Sequence, residues 1–314
     1  MRYLILLLAL TLFSCNRDND IDEDEPISEQ RNDNAVVLDI SLSGSLQNPA
    51  FSPDNHSIIF TRFINGYNKE PAEIYKYDLN TKQLILLVSD GSANVNLPGS
   101  SWNHGKIVFS SSREPHDEIY MISENGQAGD EIRITNRTNR IAYEPTLSPD
   151  GEWVVFESHI LDVEGDGMII KYKMDGTSAY IELSNANDDC RQPNWSPNNN
   201  KILYQRLLNG QWNIWTMDTD GTNKTQLTSN IGNCTDACFS ADGQYVVFSS
   251  DYQVNIANIY RISIDGTNPI RLSNYNGYDG AVSISNDASK LVFESRNGDP
   301  DESSGTKILM LNAL

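Results

Sequence analysis

The chain has 314 residues, and its 43 acidic side chains outnumber its 23 basic ones for a net charge of −20. Such a surface repels phosphate backbones and anionic headgroups, which excludes nucleic acid as a partner and leaves cationic or neutral ones open. The four histidines form no metal set, and no H-E-x-x-H motif is present.

In chain order, Arg2 precedes the apolar run Leu4–Leu10, which is too short to span a bilayer and has the layout of a secretory signal over residues 1–14. The run ends in Leu12-Phe13-Ser14-Cys15, which resembles the lipobox of bacterial lipoproteins; that resemblance implies acylation of Cys15 and attachment to the membrane through lipid alone. Residues 15–34 are strongly acidic and almost free of apolar side chains, as expected of a disordered tether. The leader's single positive charge and the tether's net −6 leave −15 on residues 35–314.

A unit of about 45 residues then recurs six times. Each copy opens on a turn of the Ser-Pro-Asp kind: Phe51-Ser52-Pro53-Asp54, Leu147-Ser148-Pro149-Asp150, Trp195-Ser196-Pro197-Asn198 and Phe239-Ser240-Ala241-Asp242, with weaker copies at Trp102-Asn103-His104-Gly105 and Ile284-Ser285-Asn286-Asp287. The turn is followed by an apolar run ending in an aromatic, as in Ile58-Ile59-Phe60 and Val246-Val247-Phe248, which suits a buried central strand. A variable loop and a third strand follow, and in three copies Asp175-Gly176-Thr177, Asp220-Gly221-Thr222 or Asp265-Gly266-Thr267 reverses the chain into an outer strand. Six four-stranded units at this period predict an all-β, six-bladed β-propeller over residues 35–314. The sixth copy has only three strands, so Asp39-Ile40-Ser41-Leu42-Ser43 is expected to supply the fourth, closing the ring and protecting an open edge.

The turn, the aromatic-ended strand, Ile-Tyr in the third strand and Asp-Gly-Thr with Leu-Thr or Leu-Ser together resemble the TolB-type propeller repeat, also called PD40, a relative of WD40. The resemblance implies the fold directly and function only loosely, since the repeat occurs in periplasmic scaffold proteins and in the propellers of prolyl-oligopeptidase-type peptidases. Those peptidases carry a hydrolase domain with G-x-S-x-G, a motif this chain lacks, so catalytic residues are not expected.

In a propeller of this strand order, the outer-to-inner connections and the loops between strands two and three share one face, the Ser-Pro-Asp and Asp-Gly-Thr turns the other. The variable loops mark the first face for binding. Its candidate ligand-binding residues are Tyr67, Tyr143, Glu144, Arg191, Gln192, Trp212, Asp236, Tyr252 and Tyr278, with Asp279 beside them and His116 and His159 as the acid-base candidates. Asp162, Glu164 and Asp166 begin like a calcium loop, but Lys173 stands where the closing glutamate belongs, so no cofactor is expected and calcium is the alternative. Cys190 and Cys234 each precede their turn serine by six residues; a disulfide between them and two free buried thiols are both compatible with those equivalent positions. The expectation is a non-catalytic, lipid-anchored protein of the outer membrane, on its periplasmic or cell-surface side, that binds an envelope protein or peptide. The alternatives are carbohydrate binding, and a propeller lyase or hydrolase.

Overall fold

The computed structural model describes Ile27 and residues 31–89, 91, 95–96, 101–298 and 305–313; the leader, Cys15 and most of the acidic stretch lie outside the described residues. Six antiparallel sheets follow one another along the chain. Blade one is Ser45–Phe51, Ser57–Phe63, Ala72–Asp78 and Leu84–Val88, and blades three, four and five repeat that order from inner to outer strand. In blade two the inner strand is split into Val95–Asn96 and Trp102–Asn103, both paired with Lys106–Ser111. Its weak turn is a two-residue reversal with His104 (φ 49°) and Gly105 (φ 68°) both left-handed, which replaces the longer Ser-Pro-Asp loop.

That loop works as a clamp between inner and second strand. The Ser52 hydroxyl donates to Asp54 Oδ1 (2.6 Å) and accepts from Ser57 N–H (2.9 Å), and Asp54 Oδ1 also accepts from His56 N–H (3.0 Å). The same bonds recur at Ser148/Asp150, Ser240/Asp242 and Ser285/Asp287. Donation from Ser285 and Ser289 holds the Asp287 carboxyl down to about 2. A carboxyl held down in this way contributes stability above its unfolded pKa that is lost as pH falls through the folded one.

The core is six separate clusters, one at each blade boundary. Ala50, Ile59 and Ile74 of blade one meet Val95, Trp102 and Ile107 of blade two; on the far side Leu46, Ile58 and Phe60 meet Val292 and Ile308 of blade six. The strand-two aromatics Phe60, Phe109, Phe156, Tyr204, Phe248 and Phe293 are all fully buried, and truncating a phenylalanine of this kind to alanine costs about 3–5 kcal/mol.

The ring closes through the N-terminal chain as expected, but the pairing strand is Val36–Val37 rather than 39–43. Val36 lies opposite Met310 and Val37 opposite Leu309, and Leu38 N–H continues the ladder to the Ile308 carbonyl (2.9 Å). Beyond it, Leu38 and Ile40 are buried between blades six and one. There the backbone turns tightly, with Ile40 N–H bonding Leu38 O and Leu42 N–H bonding Ile40 O, so those amides are spent within the segment.

Residues 31–34, acidic tether by composition, belong to the propeller. The Arg31 guanidinium is 1% exposed and forms paired bonds to Asp279 (both 2.8 Å) and to Asp33 (2.9 and 2.8 Å), with the Tyr275 ring 4.6 Å away. Asp279, expected on the binding face, is instead wholly buried as the partner of this arginine. Removing one member of a buried ion pair costs about 3–5 kcal/mol because the other is left uncompensated. Arg31→Ala is therefore expected to lower the thermal midpoint by roughly 5 °C or more, measured by circular dichroism. An unchanged midpoint would show that the Arg31–Asp279 pair plays no part in holding the N-terminal chain to the ring.

Candidate functional site

The six inner strands converge on the axis, and in five blades they break register at the same place. The shifts fall between Gln47 and Ala50, Tyr143 and Thr146, Arg191 and Asn194, Thr235 and Cys238, and Gly280 and Ser283. One residue in each bulge is left-handed: Asn48 (φ 52°), Glu144 (48°), Gln192 (48°), Asp236 (52°) and Ala281 (47°). Five non-glycine residues in that conformation are a repeated device, of the kind that re-aims a side chain. They line a waist of about 30 Å³, room for a single water molecule. Below it, on the Ser-Pro-Asp face, the strand ends Phe51, Trp102, Leu147, Trp195, Phe239 and Ile284 surround a wider vestibule of about 340 Å³, so that face is more than a set of structural turns.

Two carboxylates unforeseen from the sequence complete the upper ring. Glu157 and Glu294 each follow the strand-two aromatic of their blade and reach the bulge of the next. Glu157 Oε2 accepts from Gln192 N–H (2.7 Å), and Glu294 Oε2 from Asn48 N–H (3.1 Å). Gln192 also donates to Asp236 Oδ1 (2.9 Å) and accepts from Asp236 N–H (3.0 Å), tying blades four and five together. Burial, with Glu157, Asp236 and Glu294 nearby, pushes the Glu144 carboxyl well above the usual range. Burial and then Asp236 push Glu294 up to about 7.

Of the nine candidate residues, the structure brings Tyr67, Glu144, Gln192, Asp236 and Tyr278 together at this mouth; both tyrosine hydroxyls donate to Glu294 Oε1, at 3.2 and 3.1 Å. Tyr143 stands beside it, its ring 6.1 Å from that of His159 and its hydroxyl on Asp117, whose carboxyl burial raises to about 6. Arg191 and Trp212 form a stack on the rim, with guanidinium to indole at 5.1 Å and Arg191 Nε on Asp189 at 2.9 Å. Tyr252 is apart, packed 6.0 Å from Tyr260 in the cluster between blades four and five.

His159 is buried between Glu157 (3.1 Å) and Asp166 (3.4 Å), whereas His116 lies 3.7 Å from Glu118 in blade two. Asp166 also accepts from Ile160 N–H (2.8 Å) and is buried, while Asp162 and Glu164 are exposed, so the loop does not gather the three. Among the described residues, no group of three or more His, Cys, Asp or Glu side chains is arranged to hold a metal ion. The Cys190–Cys234 disulfide is not formed: each is a free buried thiol in a different inter-blade cluster, and burial raises their pKa values to about 12 and about 11.

Residues 176–309 match the family described as the TolB beta propeller domain, PD40. Over those residues the chain is a TolB-type propeller, and the remaining blades continue the same ring. Over 127 residues it is 32% identical to a "Protein TolB homolog" of Chlorobaculum tepidum, covering 40% of this chain and 27% of that protein. Over 195 residues it is 28% identical to a "Tol-Pal system protein TolB" of Francisella tularensis subsp. mediasiatica, covering 62% and 43%. Among solved structures, a putative TolB from Agrobacterium tumefaciens superposes with a TM-score of 0.62 at 17% identity, over 86% of this chain and 90% of that one. Hydrolases and a lyase share the fold at 11–15% identity, a likeness of architecture alone. The chain spans between about a quarter and three fifths of the length of the curated relatives it matches.

A carboxyl whose pKa is raised on folding binds its proton more tightly in the folded state, so stability falls as pH climbs from the unfolded value toward the folded one. For Glu294 of this propeller that window runs from 4.5 to about 7. The thermal midpoint is expected to decline between pH 5 and about pH 7.5, and Glu294→Gln to flatten the decline and melt higher at the upper end. Parallel pH profiles for the two proteins would contradict the assignment.

Proposed function

We propose that this TolB-type propeller is a non-catalytic docking module of the cell envelope that binds a protein or peptide partner at its loop-face mouth. The observation that carries the reading is the convergence of Asn48, Glu144, Gln192, Asp236 and Ala281, from five different blades, on one narrow opening rimmed by Tyr67, Tyr278 and the Arg191–Trp212 stack. Aromatic and arginine side chains fixed around desolvated polar groups are what protein interfaces use as anchors. The relative named for the Tol-Pal system supports a place in a multi-protein system of the envelope. Anchoring to the outer membrane, on its periplasmic or cell-surface side, is part of the same proposal and rests on the lipobox-like Leu12-Phe13-Ser14-Cys15. The Arg191 guanidinium occupies one face of the Trp212 indole, which leaves less of that ring for stacking on a sugar and places protein ahead of glycan.

Crosslinking of the tagged full chain in intact cells, read by mass spectrometry, tests the reading. One envelope protein should be enriched, and Arg191→Ala with Trp212→Ala should reduce its capture roughly tenfold or more without moving the thermal midpoint. Recovery of polysaccharide in place of protein would favour the glycan reading, and equal capture by the double variant would sink the mouth as the site.

A further inference from the structure

We propose that Tyr67 is a built-in plug of the loop-face mouth, carried on a strap that swings out when a partner enters. This rests on the docking reading above. Tyr67 sits in the loop between the second and third strands of blade one, yet its hydroxyl donates to Glu294 of blade six (3.2 Å). It meets Tyr278 there edge to face, with ring centroids 6.4 Å apart, and both phenols share the same Glu294 oxygen. A side-chain carbon at Gly280 would collide with the Tyr278 hydroxyl, so this tyrosine lies folded over its own inner strand at the bulge. The pair stands at the ring and not on a blade's flank, because the Glu294 carboxylate that both phenols share also accepts from the bulge amide of Asn48 (3.1 Å). Beneath it lies the waist of about 30 Å³ lined by the five bulge residues. A group that approaches Glu294 from the loop face therefore meets Tyr67 first.

The strap is built to move as a unit. Its backbone bonds close on themselves, from Ile64 N–H to Pro71 O (3.1 Å) and Lys69 N–H to Gly66 O (3.2 Å), with Asn65 Nδ2 donating to Glu70 O (2.6 Å). Gly66 at φ 125° provides a pivot that a side chain would restrict. At the boundary with blade six, its hydroxyl's bonds to Glu294 and Tyr278 and the ring contact with Tyr278 hold the tyrosine. When Tyr67 leaves, Glu294 keeps the Tyr278 hydroxyl on Oε1 and the Asn48 amide on Oε2, so displacement leaves no buried acceptor unpaired. The place that Tyr67 vacates on Glu294 Oε1 suits a protein segment with a hydrogen-bond-donating side chain at its tip.

Hydrogen exchange of the full chain, without any partner, tests the plug. The amides of Gln192 and Asp236 lie in the ring and bond neither tyrosine, so they report opening at a distance. Tyr67→Ala is expected to speed exchange in peptides 190–195 and 234–239 roughly tenfold or more, while strand Trp153–Ile160 stays protected. Tyr67→Phe, which keeps the ring and loses only the hydroxyl, should give a smaller rise in the same peptides and serves if the alanine variant fails to fold. Unchanged exchange in both variants would overturn the plug even if a partner is captured. Faster exchange with no partner captured would leave the plug standing and remove the docking reading.

Discussion

No blade of this protein is stable by itself, because its apolar faces are completed only by its neighbours. The six clusters at the blade boundaries make stability a property of the closed circle, and the boundary between blades six and one decides whether the circle exists. That boundary depends on chain from the opposite terminus. Val36–Val37 supplies the backbone ladder and Leu38 and Ile40 supply apolar surface, while one boundary back, between blades five and six, Arg31 pins the same segment with a doubly paired guanidinium. The cost of desolvating Arg31 is met by two carboxylates and the Tyr275 ring, so the pair acts as a register pin that tolerates no substitute of another charge.

Closing six sheets around one axis also creates the site. Inner strands that approach this closely cannot all continue as regular ladder, and each described one except the split strand of blade two relieves the crowding with a bulge at the same level. The bulged residues are thereby delivered to the axis in a conformation their side chains would not otherwise adopt. A feature that architecture requires becomes the place where chemistry differs from blade to blade.

Much of this was legible in the sequence, because the Ser-Pro-Asp clamp and the buried aromatic are local devices that repeat with the period. What failed was non-local. Composition assigned Arg31 to the tether, since nothing near it announces that Asp279 waits 248 residues away. Closure by the N-terminal strand was correctly expected but placed three residues late, because Val36-Val37 and Ile40-Ser41-Leu42 are both apolar enough, and only the tight turns at 38–42 decide between them. Cys190 and Cys234 occupy equivalent positions, and for that very reason face different boundaries. Glu157 and Glu294 carry a signal in the repeat itself: one polar residue directly after every strand-two aromatic, Thr61, Ser110, Glu157, Gln205, Ser249 and Glu294, all buried.

That polar position explains why a nearly sixfold ring has a mouth with a direction. Short hydroxyls stand there in blades one, two and five, and carboxylates only in blades three and six, which face each other across the axis. Each carboxylate caps the bulge amide of the following blade, so the amides of Gln192 and Asn48 are fixed on opposite sides of the opening. Crowding Glu144 and Asp236 between them raises the Glu144 and Glu294 carboxyls, a strain that a protein selected for stability alone would shed by placing serine at both positions, as blades two and five do. Strain kept where it could so easily be removed points to use. Here it keeps the buried Glu294 carboxyl at the opening, where both tyrosine hydroxyls donate to it.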